Sequence, residues 1–183
     1  AVGYSSDIGE DVINLAIAKE LQAEFEARGY AVVMTREDEN ALAHTKADDM
    51  HKRGEIIAES NAIILVSIHM NANRDTRIAG PIVYYYPGSQ EGRLLAQKIQ
   101  ARLNERLQPD REKKINSDNY FVLRSGGMPG VGFMSNSNDE YKLRQPDYQQ
   151  KAAEAIAQGA EDYLKIKAMQ PPTPTLENTP GKE

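Results

Sequence analysis

His69 ends the apolar run "AIILVSIH" (62–69), and polar positions follow at once in "MNAN" (70–73). A histidine at the end of a buried strand stands at the rim of a sheet, where its imidazole can bind a metal or exchange a proton near neutral pH. It can equally be a hydrogen-bonded core residue, and the run alone leaves both readings open. The chain has no cysteine, so disulfides and thiolate metal sites are excluded and any metal must take His, Asp or Glu. Only two other histidines exist. His44 and His51 are seven residues apart and could share one helical face, but they lie in an acidic stretch whose simplest reading is a solvated surface. Glu10 precedes an apolar helix, where a carboxylate also interacts well with the helix dipole. Asn71 is either a substrate contact or a turn former. Glu140, three residues after Ser137, fits a capping box better than a catalytic base.

These residues need elements to carry them. Ile13, Ile17, Leu21 and Phe25 recur every four residues across 11–28 and Gly29 follows, which predicts an amphipathic helix and its stop. "YAVVMTR" (30–36) reads as a strand, 50–60 as a helix and 62–69 as the best-marked buried strand, with His69 at its C-terminal end. "IVYYY" (82–86) is a further strand, its tyrosines alternating faces. Ser89 caps a helix striped by Leu95, Ile99, Leu103 and Leu107. "YFVLR" (120–124) is a strand with Arg124 and Ser125 at its end, where they could line a groove. Ser137 opens a short helix, and Pro146 opens a last one running to about 167. Arg36 and Arg53 read as salt-bridged structural residues.

Alternating helices and short strands predict an α/β, three-layer sandwich with a central mostly parallel or mixed sheet flanked by helices. In such sheets sites gather beyond the C-terminal strand ends, where His69, Asn71 and Asn73 fall. The 183 residues, 40% hydrophobic, suit one domain over 1–167, followed by a Pro-rich tail or linker over 168–183. A net charge of −5 with no basic cluster argues against nucleic acid or anionic membranes as partners. No apolar run reaches the roughly 18 residues of a membrane span, and no secretory leader opens the chain, so no membrane insertion is expected.

Several pieces, taken in order, carry a resemblance. "EDVINLAIA" (10–18), "GYAVVMTR" (29–36), the 53–61 helix, "VSIHMNA" (66–72), "GPIVYYY" (80–86), "YFVLR" and "GFMSN" (132–136) together resemble the zinc-dependent N-acetylmuramoyl-L-alanine amidases with an amidase-3 catalytic domain. The resemblance runs from about residue 9 to 165. It implies a zinc ion held by a histidine, a glutamate and a second histidine, with a further glutamate at the metal-bound water. Glu10 matches the ligand glutamate and His69 the histidine of the strand end; Asn71 stays a candidate substrate contact. Three N/O ligands leave zinc a position for a water whose pKa falls to about 7, and a nearby carboxylate can pass that water's proton to the leaving amine.

The implied reaction cuts the amide between N-acetylmuramic acid and the L-alanine of the stem peptide. Peptidoglycan muropeptides are then the substrate, an activating protein partner is possible, and the setting is extracytoplasmic: cell wall, periplasm or spore envelope. The chain departs from the pattern twice. It begins at "AVGYSSDIGE", past the point where the family's first strand and "DPGHGG" loop supply the first histidine. Between Val131 and Gly132 about four family residues are absent, the catalytic glutamate among them, so no residue here is assigned that role. An inactive module of the same fold, binding wall or a protein partner, is the alternative.

Overall fold

The structure is a computed structural model that describes residues 9–119 and 126–169, with backbone alone at 126–130. Its elements are α1 (Glu10–Ala27), α2 (Lys46–Glu59), β1 (Leu65–Val66), β2 (His69–Asn71), β3 (Ile82–Tyr85), α3 (Gln90–Leu107), β4 (Asn116–Ser117), β5 (Gly126–Phe133), α4 (Ser137–Leu143) and α5 (Pro146–Met169). The α/β class with a mixed sheet flanked by helices is the one expected. The 120–124 strand, with Arg124 and Ser125, lies outside the described residues, as does the tail from 170 onward.

β5 is the spine of the sheet. β1 and then β2 run parallel along one of its edges, β3 runs antiparallel along the other, and β4 adds parallel to β3. From His69 to Asn71 β2 advances two residues while β5 advances three, from Gly130 to Phe133, so the register slips at Val131–Gly132. The two residues between which the family's stretch is absent thus sit inside one continuous, irregular strand.

Helix burial follows the four-residue stripes. Ile13, Ile17, Leu21 and Phe25 are all buried, as are Leu95, Ile99 and Leu103, with Leu107 packed at the edge. α5 packs against both α1 and α3. It approaches α3 closely because Gly159 has no side chain: a Cβ there would stand 2.5 Å from the Ile99 Cα. On α3 the buried Gln100 accepts from Val83 N (2.8 Å) and donates to Pro81 O (3.1 Å), so a side chain serves the start of β3, where β4 does not yet pair. α1 ends as predicted, with Gly29 at φ 83° and the amides of Gly29 and Tyr30 turned back on the carbonyls of Glu26 and Phe25.

Four expectations are corrected. Residues 30–36 form no strand, because among the described residues none forms a ladder with them. The 62–69 strand divides into β1 and β2, and His69 opens the second of these instead of closing the first. α2 starts at Lys46 on the cap of Thr45, so His44 lies before it and shares no helical face with His51. The cap of α4 is Asn136, not Ser137: its side chain accepts from both Asn138 N and Asp139 N, while Glu140 is buried in the helix.

Candidate metal centre

Glu10 is the first residue of α1, and Gly9 before it makes no side-chain cap, so the carboxylate lies where the helix dipole favours negative charge. Its Oε1 reaches across to β2. It stands 3.0 Å from His69 Nδ1, accepts from the backbone N–H of Met70 at 3.1 Å, and accepts from the side-chain amide of Asn14 at 3.2 Å. Burial alone would raise the Glu10 pKa. Hydrogen bonds, those with His69, Met70 and Asn14 among them, overcome that and hold the carboxyl well below the usual range, so Glu10 is an anion at any physiological pH.

Both predicted ligands therefore meet, although 59 positions separate them in sequence. The side chain of Glu10 is 18% exposed and that of His69 43%, so the pair sits at a surface opening and not in the core. Alternation along β2 turns Met70 into the core and leaves His69 and Asn71 lining the same cleft. The Asn71 carbonyl accepts from Met134 N at 2.8 Å, while its side-chain nitrogen is buried and has no hydrogen-bond partner among the described residues. This cleft, of about 1370 Å³, runs between α1, the 30–36 segment, α2 and the β1–β2 edge.

Other nominated residues lie apart from the pair or play structural parts. His51 is exposed on α2 and faces Glu55 at 3.3 Å. Arg53 pairs with Asp49 at 2.6 Å and reaches Thr35, as a structural arginine should. Arg36 instead donates to the carbonyls of Asp11 and Asp38, tying the 30–36 segment to the start of α1. Tyr84 lines the cleft and Tyr85 packs on the core, the alternation expected of β3.

The loop after β2 is pinned by residues that sequence reasoning did not single out. Ser135 Oγ accepts from Asn73 N, and Asn136 donates to Thr76 O. The buried Asp139 accepts from both Gly80 N (2.7 Å) and Phe133 N (2.9 Å). The charge of Asp139 adds to burial in raising the Tyr148 phenol, whose hydroxyl donates to Val131 O. The "GFMSN" stretch therefore holds the wall of the site in place. Asn14 was missed as well; its one signal is the four-residue spacing from Glu10.

Does this donor set fit zinc? A carboxylate and an imidazole are ligands zinc takes, and they converge at an opening. Zinc needs three protein ligands or more, and among the described residues no group of three His, Cys, Asp or Glu comes together. The pair fits as part of a zinc site and does not complete one.

The fold is an α/β domain with a mixed sheet, in which a carboxylate and an imidazole meet at the start of β2. Residues 1–162 match the family described as N-acetylmuramoyl-L-alanine amidase, and the chain belongs to that family of peptidoglycan hydrolases. It is 29% identical over 174 residues to the germination-specific N-acetylmuramoyl-L-alanine amidase of Bacillus subtilis, covering 88% of this chain and 73% of that protein. It is 30% identical to the amidase LytC of the same organism, with 85% of this chain aligned to only 31% of that longer protein. Among solved structures, the CwlD amidase of Clostridioides difficile, in complex with the GerS lipoprotein, superposes with a TM-score of 0.85 at 29% identity over 91% of both chains.

Proposed function

We propose that the chain acts on the amide between N-acetylmuramic acid and L-alanine, with Glu10 and His69 as two ligands of a zinc ion and Asn71 as a substrate contact. The observation that carries this reading is the 3.0 Å approach of Glu10 Oε1 to His69 Nδ1 at the mouth of the cleft. The family's first histidine and its catalytic glutamate have no counterpart in this sequence, whose three histidines are His44, His51 and His69. Bound zinc would supply an activated water and polarise the scissile carbonyl. The chain's own residues hold Glu10 ionised, aim His69 and present Asn71 on the same wall.

The substrate places the reaction outside the cytoplasmic membrane, in wall, periplasm or spore envelope. Among the described residues no helix is long and apolar enough to cross a membrane. The CwlD amidase is in complex with a lipoprotein, and by that likeness we infer a protein partner here too. Purified murein tests the reading. An amidase releases free L-alanine amino termini and stops when chelated.

One observation favours the second reading, a non-catalytic module. No Asp or Glu occurs anywhere in 120–136, the stretch that contains β5. Such a module co-sediments with murein and releases nothing.

A further inference from the structure

We infer that Asn14 is a positioning residue, whose side-chain amide fixes the Glu10 carboxylate against His69 and the Met70 amide. The inference rests on the role proposed above for Glu10 and His69. Asn14 stands one helical turn after Glu10, and its Nδ2 donates to Oε1 at 3.2 Å, the same oxygen that faces His69 Nδ1 and accepts from Met70 N. A carboxylate at the first position of a helix has free rotamers, and three groups converging on one oxygen remove that freedom.

The position is also held against local stability. Ile13 and Leu15 beside Asn14 are buried, asparagine is a poor helix former, and Asn14 Oδ1 is buried with no hydrogen-bond partner among the described residues. A leucine here would suit the helix and leave no orphaned acceptor. What asparagine adds is a neutral donor. A lysine or arginine in its place would neutralise Glu10 and compete with any cation, whereas an amide orients the carboxylate and leaves its charge intact.

Asn14→Leu and Asn14→Asp in the full chain test this. The readouts are the thermal midpoint, the amide proton shift of Met70, the imidazole nitrogen shifts of His69, and zinc affinity by competition with a chromophoric chelator. Asn14→Leu should hold or raise the midpoint, move the Met70 amide proton upfield, change the His69 pattern and weaken zinc by about 10–100-fold, as the loss of a group supporting a ligand does. Asn14→Asp keeps the size and repels Glu10, so it should shift the same resonances. Resonances unchanged from the parent in a folded variant overturn the inference. Should Asn14→Leu fail to fold, Asn14→Asp decides by the same shifts. A parent chain that takes up no zinc would defeat the metal reading of Glu10 and His69, while the resonances would still decide whether Asn14 positions the pair.

Discussion

Glu10 Oε1 and His69 Nδ1 stand 3.0 Å apart, so the start of the first helix and the start of β2 are joined through the two side chains proposed to share a metal. Each removes a different kind of ligand when substituted. Glu10→Ala and His69→Ala should each abolish whatever zinc the parent chain takes up, a larger loss than the roughly 10–100-fold that follows from removing an outer supporting group. Elemental analysis on protein purified without added metal reads the outcome. Retention of zinc by both variants would place the metal elsewhere.

Asp139 ties the end of β5 to the turn before β3. Its Oδ2 takes the amides of Gly80 and Phe133, and the residue is 4% exposed, so Asp139→Ala leaves two buried donors unpaired. Each unpaired buried donor costs about 1–3 kcal/mol, which puts the loss at about 2–6 kcal/mol. Urea unfolding at neutral pH measures it. A cost below about 1 kcal/mol would mean that the Gly80 turn holds without its acceptor.

Gly159→Ala sets two effects against each other. Alanine gains about 1 kcal/mol of helix propensity over glycine. Its Cβ, however, would fall 2.5 Å from Ile99 Cα and 2.7 Å from Ile99 N, and those are backbone atoms that no rotamer change can move. Overpacking of that kind costs typically 1–3 kcal/mol and more when backbones must separate, so the variant should be less stable on balance. A raised unfolding midpoint would show that α3 and α5 can slide apart at little cost.

What the sequence disclosed and what it hid divide along a physical line. The stripes of α1 and α3 were legible because helix burial is written in spacing within one segment. "YAVVMTR" looked like a strand from its composition, but a strand exists only when a neighbour completes its ladder, and composition cannot name the neighbour. The 62–69 run divided for a related reason: β5 pairs with it at 65–66 and again at 69–71, not between. At the site, the resemblance indicated Glu10 and His69 and the fold unites them. Asn14 escaped notice because an amide one turn from a carboxylate looks like any solvated helical pair. Ser137 and Glu140 spelled a capping box, yet Asn136, one residue earlier, takes two amides at once and sets the helix start.

α2 is the element least tied to the rest. It has no buried residue, and Met50, Ile56 and Ile57 face the cleft instead of a packed core. Helices of this length draw most of their stability from packing, so α2 should open locally at a small fraction of the global unfolding free energy. Its amides should therefore exchange with deuterium well before those of α3 and α5, whose buried faces meet. Thr45→Ala removes the side chain that accepts from Asp48 N and should cost α2 about 1 kcal/mol, a roughly fivefold faster exchange confined to that helix. Exchange measured by mass spectrometry decides the matter. Protection of α2 equal to that of α3 would show that something fills the cleft and buries its apolar face, and the same measurement repeated with murein fragments would show whether substrate does so.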